Sequence, residues 1–243
     1  MSTRMVEVRA KVLKQNDLLA RALRERFRSE GTCVVGLVSS PGSGKTALLE
    51  KLLSGLAGDS RVAALVGDLA TENDAARLRR ATPNVRQINT GTVCHLDAQM
   101  VEKALESWRL DRIDFLFIEN VGNLVCPSSY DLGEELRFVL LSATEGEDKP
   151  LKYPTIFNSS DVAIITKMDL AQAAEFDLPA ARRNIESVRP GMQVFEVSAK
   201  TGAGMQAVFD LLHAQLARAR QPQVTAANLR SYEYERPQGS PGS

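Results

Sequence analysis

The apolar run CVVGLV, residues 33–38, leads into Ser39, Ser40, Pro41, Gly42, Ser43, Gly44, Lys45 and Thr46, after which the pattern turns helical. A junction of this kind can hold phosphate. Gly42 and Gly44 let the backbone curl so that successive N–H groups face an anion. Lys45 adds a point charge near the β- and γ-phosphates, and Thr46 offers a hydroxyl to Mg²⁺. The helix that begins there directs the positive end of its dipole to the same place. The usual spacing is G-x-x-x-x-G-K-S/T, and Ser39 occupies the first glycine position. The chemistry does not need that glycine. An ordinary Gly/Ser turn is the other reading of the stretch. We expect Gly42, Ser43, Gly44, Lys45, Thr46 and Ala47 to bind a nucleoside triphosphate, with Lys45 facing solvent until phosphate arrives.

A second stretch with chemical potential is GTVCHLDAQM, residues 91–100, which places Cys94 beside His95 in a chain with three cysteines and two histidines. The pair could ligate a metal, act as a nucleophile with its base, or simply pack. Two adjacent ligands cannot complete a tetrahedral or planar shell, so further groups would have to come from elsewhere.

Base recognition has its own candidates. AIITKMDL ends an apolar run with Lys167 and Asp169 two apart. A carboxylate there can accept from both the ring N–H and the exocyclic amine of guanine, whereas adenine offers no such paired donors. The pair resembles the N-K-x-D guanine signature of GTPases, with Thr166 in place of the asparagine. VSAKTGAG resembles the S-A-K loop that backs the guanine, which adds Ser198, Ala199 and Lys200. A solvated charged turn is the alternative for Lys167 and Asp169 taken alone. Asp68 and Glu119 each end an apolar run, the place where a parallel sheet presents ligand-binding groups. Each could also merely cap a turn.

These groups need a frame. Residues 5–28 carry Val8, Val12, Leu19, Leu23 and Phe27 at helical spacing among many charges, and Gly31 ends the run, so an amphipathic leading helix is expected. Then TCVVGLVSS, RVAALVGD, VRQIN, IDFLFIE, LRFVLLSAT, DVAIITK and MQVFEVSA read as short buried strands. Helices are expected from Lys45, from about Glu72, over residues 96–108, 179–188 and 205–218. Alternation of this kind predicts an α/β fold: a single P-loop NTPase domain, mostly parallel, with helices on both faces. We expect the leading helix, 1–30, to belong to that domain, 31–219 to be its body, and 220–243, which ends RPQGSPGS, to be a disordered tail.

Thirty basic residues balance thirty acidic ones, which favours neither nucleic acid nor an anionic membrane as partner. Three widely spaced cysteines argue against a disulfide framework and for the cytoplasm. The charged start of the chain contains no secretory signal or membrane span.

From Val34 to Leu216 the chain resembles the family of GTPases required for nickel insertion into nickel-iron hydrogenase. The resemblance rests most specifically on TGTVCHLDAQMV, IENVGNLVCPSSYDLGE and ATEGEDKPLKYPTIF. It implies slow GTP hydrolysis, a nucleotide-dependent homodimer, and partnership with hydrogenase maturation proteins and the hydrogenase large subunit. It also implies that Cys94, His95 and Cys126 bind Ni²⁺ or Zn²⁺. Glu119 to Gly122 take the place of the D-x-x-G switch, so Thr46, Asp68 and Glu119 are the expected Mg²⁺ partners. Lys45, Thr46, Asp68 and Glu119 form the expected catalytic set, and Asp68 and Asp74 are candidates to orient the attacking water. Three ligands per chain leave the soft-metal shell to be completed by water, the N-terminus or a second subunit. Cys33 reads as core and His213 as surface or packing. Relatives that carry a cysteine motif or histidine-rich stretch ahead of the GTPase domain differ here, so no separate tight nickel site or store is expected.

The sibling urease accessory GTPase has Cys-Pro-His where this chain has Cys-His, which favours the hydrogenase role. A small-molecule P-loop kinase would need an acceptor pocket and an Arg-bearing lid, and Lys167 with Asp169 speaks against it. A non-catalytic zinc-binding interaction protein would bind metal independently of nucleotide.

Overall fold

The computed structural model describes residues 3–68 and 73–220. A leading helix, α1 (Thr3–Ser29), precedes β1 (Cys33–Ser39), α2 (Lys45–Leu56), β2 (Val62–Asp68), α3 (Asn73–Leu78), β3 (Val85–Asn89) and α4 (Ala98–Leu105). There follow β4 (Phe115–Glu119), β5 (Leu136–Ser142), α5 (Lys149–Lys152), α6 (Pro154–Asn158), β6 (Val162–Thr166), α7 (Leu178–Val188), β7 (Gln193–Glu196) and α8 (Met205–Ala219). The seven strands form one sheet in the order β3-β2-β4-β1-β5-β6-β7. Every pairing is parallel, so the expected mostly parallel sheet is wholly parallel among the described residues.

Central strands covered on both faces have no polar alternation, and all seven residues of β1 are buried. Successive side chains point to opposite faces. On one face Leu48, Leu49, Leu52 and Leu53 of α2, with Val208 and Leu212 of α8, pack on Cys33, Val35 and Leu37. On the other, Leu23 and Phe27 of α1 and Val101 and Leu105 of α4 pack on Val34, Leu116 and Ile118. Phe157 of α6 and Ile185 of α7 extend that second layer over Val139 and Ile165. Each such side chain contributes about 1.5–3 kcal/mol by leaving water, and together they fix the sheet whose carboxyl edge carries the site.

Several boundaries differ from expectation. The apolar stripe of α1 is buried only toward its end: Leu23 and Phe27 are buried, while Val8 and Val12 are 57% and 48% exposed. Gly31 closes the helix at φ +68, a left-handed conformation that glycine adopts without strain. The helix expected over 96–108 spans only Ala98–Leu105, because Asp97 accepts a hydrogen bond from Met100 N at 2.8 Å and caps it there. Asp177 caps α7 in the same way through Ala180 N. Glu72 lies outside the described residues, and α3 is described from Asn73. The short helices α5 and α6 had no expected counterpart. Each is no more than five residues, too short for a periodic signal. Of the expected tail, Arg220 is described and its guanidinium binds Asp114; residues 221–243 lie outside the described residues. Among the described residues no helix is long and apolar enough to cross a membrane.

Candidate functional site

Parallel strands end on one edge of the sheet, and Ser39, Asp68, Glu119 and Thr166 stand at the carboxyl ends of β1, β2, β4 and β6. The chain leaving β1 curls through Gly42 at φ +74 and Gly44 at φ +93, and Gly44 is the residue just ahead of α2. A cleft of about 450 Å³ opens here, lined by the phosphate loop, Asp68, Asp74, Arg77 and residues 119–122. Gly122 is needed for the loops to meet: a Cβ there would sit 2.9 Å from Pro41 Cα.

Lys45 does not face solvent, contrary to expectation. It is buried, and its ammonium donates to Ser39 Oγ at 2.8 Å and to Ser40 O at 3.4 Å. Ser39, at the position where the usual pattern has glycine, therefore supplies a resting partner that glycine could not. Ser43 Oγ lies within hydrogen-bond reach of Ser39 Oγ and, at 2.8 Å, of Ser40 O, so the loop is tied to itself. Burial pulls the Lys45 ammonium below its ordinary pKa, opposed by the charges of Glu119, Asp74 and Glu145.

Glu119 is 3% exposed, and its Oε1 accepts from Thr46 Oγ1 at 2.8 Å. Its other oxygen, Oε2, is buried with no hydrogen-bond partner. Burial pushes this carboxyl up to about 7, against the pull of Lys45 and the Thr46 hydroxyl. A buried carboxylate oxygen without a partner is costly unless a cation or proton reaches it. A hydroxyl and two carboxylates lining one cleft form a hard oxygen donor set of the kind that suits Mg²⁺.

The base loop is wired to the phosphate loop. Thr166 Oγ1 donates to Ser43 O at 2.6 Å and Lys167 Nζ donates to Gly42 O at 2.7 Å. Lys167 holds φ 58, an uncommon conformation for a side chain other than asparagine or glycine. Its Cε lies 3.7 Å from where a Cβ on Gly44 would be. Asp169 is exposed and accepts from Ser198 Oγ at 2.6 Å, and the same Ser198 oxygen accepts from Thr201 N at 3.1 Å. Ser198 is buried, Ala199 half-buried and Lys200 exposed. The two expected base loops therefore meet. Thr166 departs from the asparagine of the guanine signature, and its hydroxyl supplies one of the two links between the loops.

Cys94 and His95 lie in the loop after β3, and Cys126 begins a 3-10 turn, Cys126–Ser129, after β4. The three are brought together: one ligand atom from each lies within 4.8 Å of the others. Cys94 Sγ donates to Cys126 Sγ at 2.9 Å, with no disulfide between them. His95 Nδ1 is buried with no hydrogen-bond partner. Burial lowers the His95 pKa, with the Asp97 charge opposing, which favours the neutral ligating form. The ring of Tyr130 tilts against His95 with centroids 4.0 Å apart, and Arg137 holds Tyr130 by donating to its carbonyl at 2.8 Å. Tyr130 lies in the stretch IENVGNLVCPSSYDLGE, but nothing in the sequence pairs it with His95, because the contact joins two separate loops. Cys33 is fully buried, with its thiol pushed up to about 12 by that burial, as a core position requires. His213 is partly exposed and lies 3.5 Å from Asp59.

The all-parallel sheet, helices on both faces and the glycine-curled anion loop after β1 define a P-loop nucleotide-binding domain. Residues 33–196 match the family described as CobW/HypB/UreG, nucleotide-binding domain. The chain is 45% identical over 215 residues to the hydrogenase maturation factor HypB of Rhizobium leguminosarum bv. viciae, an alignment spanning 88% of this chain and 72% of that one. It is 42% identical over 216 residues to the hydrogenase/urease maturation factor HypB of Helicobacter hepaticus, spanning 87% and 88%. The crystal structure of HypB from Helicobacter pylori in complex with nickel superposes with a TM-score of 0.80 at 40% identity, over 87% of this chain and 99% of that one. The protein thus belongs to the CobW/HypB/UreG family and, within it, to the HypB hydrogenase maturation factors.

Proposed function

We propose that this protein is a GTP-hydrolysing metallochaperone that assists nickel delivery to nickel-iron hydrogenase, holding the metal on Cys94, His95 and Cys126. The observation that carries the reading is the convergence of those three ligand atoms on loops that leave the nucleotide-facing edge of the sheet. The relative solved with nickel supports the choice of cargo. Two thiols and an imidazole suit Ni²⁺ and Zn²⁺ alike.

In the GTPase cycle Asp169 accepts from the two donors on the guanine edge, held in aim by Ser198, while Ala199 and Lys200 back the ring and the Lys167 stem covers it. Lys45 exchanges Ser39 for phosphate oxygens and, with the amides of residues 42–47, neutralises the charge that grows on the transferring phosphoryl group. Water attacks the γ-phosphorus, the bond to the bridging oxygen breaks, and GDP and phosphate leave. Mg²⁺ supplies further charge neutralisation, and Thr46, Asp68 and Glu119 are the residues that would hold it. Asp74 lines the same cleft and is, with Asp68, a candidate to orient the water. Lys45, Thr46, Asp68 and Glu119 thus form the catalytic set.

One chain brings three soft ligands together, so a second copy would complete the shell, which is the reason for reading the protein as a nucleotide-dependent homodimer. Cys33, Cys94 and Cys126 form no disulfide, which suits the reducing cytoplasm. Hydrogenase maturation proteins and the hydrogenase large subunit are the partners this role requires. The Helicobacter hepaticus relative is named for urease as well, and a urease subunit copurifying in place of a hydrogenase subunit would favour that role. Light scattering with GDP and with a non-hydrolysable GTP analogue, each with and without Ni²⁺, tests the reading. Dimers that form with the analogue and bind one tightly held metal support it. A monomer in every condition, binding no metal, would sink it.

A further inference from the structure

The nucleotide cleft and the Cys94-His95 loop are joined by one buried side chain. Asn120 is 2% exposed and follows Glu119 directly. Its backbone N–H donates to Leu37 O of β1 at 3.0 Å, which pins it to the sheet. Its side-chain Oδ1 accepts two backbone N–H groups, from Leu96 at 3.0 Å and from Val121 at 2.9 Å. Leu96 is the residue after His95, and Val121 precedes the Gly122 that touches the phosphate loop. One oxygen therefore holds both the metal-ligand loop and the segment lining the phosphate cleft.

Neighbouring contacts make the joint stiff. Leu96 is fully buried, and a Cβ on Gly67 would lie 2.7 Å from Leu96 Cγ, so the Cys-His loop is seated directly on the end of β2 beside Asp68. Asn123 Nδ2 donates to Cys94 O at 3.4 Å. Cys126 belongs to the same segment as Asn120. A shift of residues 120–126 driven from the phosphate cleft must either carry Leu96 along or break its bond to Asn120.

We infer that Asn120 is a positioning residue that transmits the state of the phosphate cleft to the soft-metal ligands, by fixing His95 relative to Cys126 through the Leu96 amide. The inference rests on the proposed reading that nucleotide and metal share one cycle. Coupling between two sites is a ratio of affinities and is reciprocal, so it can be measured from either side.

The test is calorimetric titration of the full chain with Ni²⁺, in its GDP-bound and GTP-analogue-bound states, for the wild type, Asn120→Ala and Asn120→Asp. The wild type is expected to show affinities that differ between the two states by about fivefold or more, the usual size of such coupling. Asn120→Ala should bring the ratio close to one, while Asn120→Asp, which keeps an accepting oxygen, should restore it. A merely structural role would weaken both affinities together and leave the ratio intact, and that result overturns the inference while the proposed function stands. Equal wild-type affinities would overturn both. Should Asn120→Ala melt below the assay temperature, Asn120→Ser replaces it: its hydroxyl is too short to span both amides, and a retained ratio there again overturns the inference.

Discussion

The phosphate loop and the soft-metal cluster stand on the same edge of the same sheet but are built by opposite means. Ser39 to Thr46 are consecutive, and their arrangement follows from two glycines, a strand end and a helix start. Cys94 and Cys126 are 32 residues apart, and their sulfurs meet only because β2 sits between β3 and β4 and brings the loops over its end. A contiguous site keeps its shape when neighbours move. A site assembled from two loops changes shape whenever either loop moves, which would suit the metal cycle proposed for Cys94, His95 and Cys126.

The largest expected effect attacks the contiguous site. Lys45→Ala should lower GTP turnover by about 10²–10³-fold, the size seen when one charge-stabilising donor is lost. Steady-state phosphate release measures it, and a wild-type rate would remove Lys45 from the catalytic set. Metal affinity in the GDP state should hardly change, because Lys45 touches neither ligand loop.

Next comes the assembled site. Cys126→Ala should weaken Ni²⁺ binding by at least about 10–100-fold, since even the loss of an outer partner of a ligand costs that much. Cys33→Ala is the matched control. It should leave metal affinity alone yet destabilise the fold by about 1 kcal/mol, because it opens a small void between α2, α8 and the sheet. Calorimetry and chemical unfolding separate the two outcomes, and equal metal loss in both variants would dissolve the cluster.

Asp169→Asn should weaken GTP binding by about 10–100-fold, as expected for hydrogen bonds to a charged acceptor. It should also shift preference toward xanthosine triphosphate, whose carbonyl meets the new amide donor. Competition binding with both nucleotides reads this shift, and unchanged GTP affinity would take Asp169 out of the site.

The smallest effect lies at the far end of the sheet and bounds the comparison. Hydrogen bonds from Arg61, with the Arg220 charge, hold the Asp114 carboxyl below its ordinary 3.8. Its folded pKa is below the unfolded one, so the unfolded chain takes up the proton first as pH falls. The stability that Asp114 contributes is present above about pH 3.8 and is lost as pH falls through the folded value. Asp114→Asn should therefore lower stability near neutrality and flatten its decline between pH 5 and the acid limit, as followed by thermal melting. GTP turnover and metal affinity should stay at wild-type values, and a change in either would mean that the two sites are not confined to the carboxyl edge.

The chain's alternation of apolar runs with helical periods determined the α/β class, the strand positions and the phosphate loop, because those depend on spacings within a few residues. Lys167, Asp169 and Ser198 were legible for the same reason, each standing in a short stretch with its own chemistry. Only the tertiary structure decided that Thr166 ties the base loop to Ser43, 123 residues away. It likewise decided that Tyr130 leans on His95 and that Asn120 spans two loops. Sequence spacing carries no record of such pairs, since each depends on which strands lie side by side, and strand order is set by burial summed over the whole sheet.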